Sequence, residues 1–233
     1  YGSTVLLPLF LQVLMGYTAE LSGMVLSPGG FAILLMMPVV GTLSGRVEAR
    51  WLAGFGFAIS ALALFHMCEL NLNIDFRTAM MYRIYQSIGL AFLFIPINTA
   101  AFASATGENS NQISSIVNLA RNIGGSVGIS LVTTLIARRA QIHQDTLARH
   151  VTNYDGTLRG MLDGLSSNLS HKGFSTADAM HQSVGRIYAM VQQQASVQAY
   201  IDTLWLLGVA CLCMLPLVLL MGKNDPHKAL AAH

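Results

Sequence analysis

Six stretches of the chain are nearly free of charge and approach the length that crosses a bilayer: residues 2–17, 24–43, 52–68, 79–103, 113–137 and 203–221. About 20 apolar residues span the ~30 Å of hydrocarbon, so the pattern predicts a membrane bundle of six helices. The first five stretches occupy residues 1–137 and are joined by short polar connections, TAELSG, SGRVEARW, ELNLNIDFR and ATGENSNQ. The last connection, residues 138–202, is a polar insert long enough to need structure of its own. Residues 203–221 then form the last span and residues 222–233 a tail.

Inside the insert, Ser175 and Asp178 are spaced as a capping box, and Ala177, Met180, Val184, Ile187 and Val191 repeat every three or four residues. An amphipathic helix is expected from about 176 to 196, outside the bilayer. The segment GTLRGMLDGLSSNLSHKGF, residues 156–174, is punctuated by glycine and serine and is expected to be a loop.

Composition supports the membrane assignment. Hydrophobic residues make up 53% and charged residues 10%, well below the quarter usual in soluble domains. The net charge of +2 gives no argument for nucleic acid. The chain opens at Tyr1 inside an apolar stretch, as a fragment with a clipped first span would. Cys68, Cys211 and Cys213 lie in spans, where packed thiols are expected. Charge near the span ends slightly favours placing the loop of Arg46 and Arg50 in the cytoplasm, together with the tail.

Polar residues sort the spans. The third and sixth carry almost none and should face lipid. In the fourth, Arg83, Gln86, Leu90, Phe94 and Asn98 fall on one helical stripe, as the wall of a wet cavity would. The alternative is that Arg83 snorkels to the interface while Gln86 and Asn98 bond neighbouring helices. In the fifth span Asn118, Arg121, Asn122 and Gly125 share a face, with Gly124 and Gly128 beside it as a GxxxG step that admits a close helix. A buried arginine there needs carbonyl or carboxylate partners, or else it snorkels. Tyr1, Tyr17, Trp51, Tyr82, Tyr85, Tyr200 and Trp205 cluster near span ends as an interfacial belt, with Tyr82 and Tyr85 the expected exceptions.

The run PVVGTLSGRVEARWL resembles the glycine-and-arginine loop in the C-terminal half of major facilitator transporters. Gly41, Leu43, Arg46 and Arg50 stand in place, but Gly45 replaces an aspartate and Glu48 a glycine. LPLFLQVLMGYTAELSGMVLSPGG, IYQSIGLAFLFIPINTAA, NLARNIGGSVGIS and VQQQASVQAYIDTLW are similar, in this order, to fourteen-span drug:proton antiporters of the EmrB/QacA type. The resemblance implies a C-terminal six-span bundle with a long periplasmic loop before its last span, in a bacterial inner membrane. It implies a missing N-terminal half as partner, small-molecule drugs and protons as cargo, and a periplasmic adaptor and outer-membrane channel as further candidates. Gln12, Arg83, Gln86, Phe94 and Asn98 would then line the substrate cavity. Gly41, Arg46, Arg50, Asn118, Arg121, Asn122, Gly124, Gly125 and Gly128 would serve the moving interface between halves.

The acids Glu20, Glu69, Asp75, Glu108 and Asp202 all fall at span ends or in loops, so the proton site is not expected in this segment. The leading expectation is secondary export of amphipathic compounds by alternating access, with no cofactor. A narrow exporter of one metabolite or siderophore, or a non-transporting membrane scaffold, would share most of these features. An enzyme finds no support, since no P-loop, metal-ligand spacing or intramembrane cluster of His and carboxylates occurs.

Overall fold

A computed structural model describes residues 1–102, 109–150 and 156–220. The tail at 222–233, Met221 and Glu108 lie outside the described residues. Within them the fold is all-α: α1 (Gly2–Leu9), α2 (Ala19–Ser44), α3 (Ala49–His66), α4 (Phe76–Phe102), α5 (Ser110–His150), α6 (Gly156–His171) and α7 (Thr176–Leu219). Helices α2, α3, α4, α5 and α7 are long and apolar enough to cross a membrane. The expected first span is different. After Pro8, which lacks the N–H that would continue the ladder, α1 widens into a π turn over Phe10–Leu14. Helix and turn together rise only about 20 Å at ~1.5 Å per residue, short of a full crossing. Gly16, at φ 69°, reverses the chain into α2, whose first turn Thr18 caps by accepting from the Leu21 N–H at 3.2 Å.

The chain forms two compact units, Tyr1–Val132 with the segment from Ile201 onward, and Thr133–Tyr200. In the first, α4 packs against both α2 and α3. Glycine allows the close approach. A Cβ on Gly56 would lie 2.8 Å from the backbone of Phe92, and one on Gly89 would lie 2.8 Å from the Ser60 nitrogen. Below these contacts Val40, Leu52 and Phe92 form an apolar core sealed by Met36, Leu43 and Ile88. Helix α3 was expected to face lipid, yet Leu52, Ala53, Gly56, Ser60 and Leu64 are buried, and only the stripe Trp51, Phe55, Leu62 and His66 is exposed. An absence of polar side chains marks a lipid face and a tight helix contact equally well.

In the second unit the loop expected at 156–174 is helix α6. Leu158, Leu162, Leu165 and Leu169 recur at helical spacing and are at least half-buried, while Gly156, Gly160 and Gly164 line the open side. The helix ends where its glycine has a backbone role. Gly173 at φ 92° donates to the Ser170 carbonyl and Phe174 to that of Leu169, the two bonds of a Schellman cap. Helix α7 starts as expected, with Ser175 accepting from the Asp178 N–H at 3.2 Å. Its buried stripe is Ala179, Ser183, Ile187, Ala195 and Ala199. Ala177, Met180 and Val184, expected on that stripe, are exposed; the buried face is offset from them and starts at Ala179 and Ser183.

Candidate functional site

The cavity stripe on α4 divides into two groups. Near the start of the helix, Arg83 Nη1 donates to Gln86 Oε1 at 2.7 Å. Gln86 is only 1% exposed and Ser87 is fully buried. Both groups press on α2 at Gly29, where an added Cβ would lie 2.5 Å from Ser87 Oγ and 2.7 Å from Arg83 Cγ. Arg83 Nε, Gln86 Nε2, Ser87 Oγ and, on α2, Ser22 Oγ are buried without a hydrogen-bond partner. Orphaned polar atoms on Arg83, Gln86 and Ser87 make this an expensive place to leave dry. Ser22, Gly29 and Ser87 escape a search for charged or amide residues in spans; the i, i+7 spacing of two small residues on α2 is the only sequence signal for them.

The second group joins three helices. Arg121 on α5 donates from Nη2 to Asn98 Oδ1 on α4 at 2.9 Å, and Asn98 Nδ2 donates in turn to the Phe94 carbonyl at 2.7 Å. The Arg121 guanidinium lies 5.9 Å from the centre of the Phe94 ring, within cation–π range. Tyr1 meets the same ring edge-on at 6.4 Å. Its own ring rests on Gly125, where a Cβ would come within 3.2 Å. An asparagine is a suitable partner for a guanidinium in a span, because its carbonyl accepts one N–H while its amide satisfies the neighbouring backbone. The phenyl face stabilises the remaining charge. Phe94 is 43% exposed, so the group presents a cation, an amide and an aromatic ring at an open face.

The remaining candidates fall elsewhere. Gln12 is exposed on the π turn and belongs to neither group. Asn118, Asn122 and Gly124 are exposed on α5, and nothing approaches Gly124 within 4 Å. The small-residue step that does make a contact uses Gly128 and α1, since a Cβ on Gly2 would lie 3.1 Å from the Gly128 carbonyl oxygen. Gly41 and Arg46 are exposed. Arg50 Nε forms an ion pair with Glu48 Oε2 at 2.5 Å. Arg50 also covers the Trp51 ring at 5.7 Å. Glu48, one of the two residues that depart from the loop pattern, thus supplies the acid for one of its arginines. His66 packs edge-on against the buried Tyr82 at 4.9 Å, a packing role.

The profile of the Major Facilitator Superfamily matches residues 1–136, more than half of the chain. The chain belongs to this family. Its similarity to relatives extends beyond the matched segment. It is 26% identical to the fatty acid resistance protein FarB of Neisseria gonorrhoeae over 232 residues, covering 100% of this chain and 44% of FarB. It is 26% identical to the multidrug export protein EmrB of Escherichia coli over 219 residues, 94% of this chain and 41% of EmrB. It is 28% identical to the probable multidrug resistance protein EmrY of Escherichia coli over 189 residues, 75% of this chain and 37% of EmrY. The chain therefore spans less than half the length of these relatives. The resemblance to EmrB-type exporters drawn from the sequence is borne out. Together with the five membrane-capable helices, it makes this chain a multi-pass inner-membrane protein of a transporter family.

Proposed function

We propose that this chain is the C-terminal half of a multidrug exporter that moves amphipathic compounds outward by proton antiport and alternating access. The observation that carries the reading is the group of Arg121, Asn98 and Phe94. A charge held at an open face by an amide and an aromatic ring offers a substrate both an apolar surface and a polar anchor. The missing half would supply the other wall of the cavity and the titrating acid, since the described acids Glu20, Glu48, Glu69, Asp75 and Asp202 stand outside the deep part of the spans. Exposed apolar residues on α2 (Phe31, Leu34, Leu35) and α5 (Ile116, Leu119, Ile123) give that half and lipid their contact surfaces. Residues 138–202 would lie in the periplasm, where an adaptor leading to an outer-membrane channel would meet them.

The test uses the full-length protein. Asn98→Leu should alter the pattern of resistance across compounds while membrane levels stay near wild type. If resistance scales only with protein level, Asn98 is structural and the cavity assignment fails. Proton-driven efflux from vesicles, lost when the gradient is collapsed, checks the antiport step.

A second reading concerns substrate charge. The ionised groups on the two candidate faces, Arg83 of α4 and Arg121 of α5, are guanidinium, a charge that favours weak acids over cations. The name of one relative, the fatty acid resistance protein, points the same way. Competition between a fatty acid and the amine of equal chain length decides between acids and cations as preferred cargo.

A further inference from the structure

The unit Thr133–Tyr200 contains a cavity of about 280 Å³. Leu158 and Leu162 of α6 wall it on one side, Val184 and Ile187 of α7 on another, and Gln144 of α5 with Tyr188 of α7 supply its polar edge. Among the described residues no charged one lines it; the nearby Arg149 and Asp145 pair with each other at 2.6 Å. Gln144 Nε2 donates to Tyr188 Oη at 2.7 Å. That bond leaves the Gln144 carbonyl free to accept and the Tyr188 hydroxyl free to donate, one of each, side by side. The volume is near the lower end of the roughly 300–1,000 Å³ of small-molecule pockets and is too small for a helix about 10 Å across. Val184 and Tyr188 are each more than half exposed, which opens the cavity to solvent.

We propose that this three-helix unit binds a small uncharged amphiphile: an alkyl body against the leucines, valine and isoleucine, and one hydroxyl or amide head on Gln144 and Tyr188. The site is separate from the group around Arg121 and does not depend on what that group transports. Charged heads are disfavoured, since among the described residues neither a guanidinium nor a carboxylate lines the cavity.

The probe is a decanol analogue carrying a diazirine on its chain, photolysed on the full-length protein in lipid nanodiscs, with labelled peptides mapped by mass spectrometry. Label is expected on 158–162 and 184–191 and should disappear with excess decanol but persist with excess decylamine. Leu162→Trp fills the cavity and should abolish that label while leaving label in the spans unchanged. Tyr188→Phe, which removes only the hydroxyl, should weaken it. Hydrogen exchange of α6 in each variant shows whether the unit is still folded; should Leu162→Trp unfold it, Leu158→Phe takes its place. Label that excess decanol does not displace, or that survives cavity filling in a folded variant, overturns the proposal.

Discussion

Arg121 was legible in the sequence as a residue that needs a partner, but the partner was not. Its bond to Asn98 joins residues 23 apart in sequence, and only the packing of α4 against α5 brings them together. Lysine can reach one acceptor but lacks the planar fork and the stack on Phe94. Arg121→Lys should therefore keep its membrane level and lose transport by about tenfold, equivalent to ~1.4 kcal/mol, in vesicles with an imposed proton gradient. If the two side chains act as a pair, Asn98→Leu and the double substitution should each lose about as much as Arg121→Lys alone. A variant close to wild type would return Arg121 to a snorkelling role.

Asp75 provides a prediction in pH. It accepts from the hydroxyl of Thr78 and, at 3.2 Å, from the Thr78 N–H at the start of α4. The Thr78 hydroxyl is the main cause that holds this carboxyl below its ordinary 3.8. A lowered value in the folded state means that the cap stabilises α4 above pH 3.8 and is lost as pH falls through the lowered value. Amide exchange at Thr78 should quicken in Asp75→Ala at neutral pH, and in the wild type only under strongly acid conditions.

Among the elements, glycine sorts itself by what surrounds it. Gly160 and Gly164 have open space where a Cβ would go, so alanine at either position should raise the stability of α6 by about 0.5–1 kcal/mol. Gly56 and Gly89 face backbone atoms that cannot move aside, and alanine there should cost about 1–3 kcal/mol. Thermal unfolding of the purified protein reads both signs. The sequence shows all four as glycine in an apolar or mixed run. Reading 156–174 as a loop gave those glycines more weight than the leucine spacing, and the helix shows that burial of one apolar face outweighs weak propensity.

For the whole molecule, the sequence specified the membrane-capable helices because each depends on local composition over about 20 residues. It also marked the polar insert between the last two spans. The sidedness of that insert is a prediction. With residues 41–50 in the cytoplasm and 138–202 in the periplasm, cysteines at positions 48 and 165 should be labelled from opposite sides in intact cells. Labelling of both from one side would reject this topology.

What the sequence determined by itself was the class of the molecule, its long apolar helices, the cap at Ser175, and the unusual presence of Arg83 and Arg121 in apolar runs. These follow from hydrophobicity and from side-chain chemistry within a few residues. Tertiary structure alone decided that Gln86 is sealed against α2 while Asn98 meets α5, that Tyr1 covers Gly125, and that small residues form the buried stripe of α7. A period of 3.6 residues assigns a side chain to a face but not to the neighbour that face will meet. That choice depends on which helices can approach most closely, and the glycines and alanines that permit the approach carry almost no signal in a hydropathy pattern.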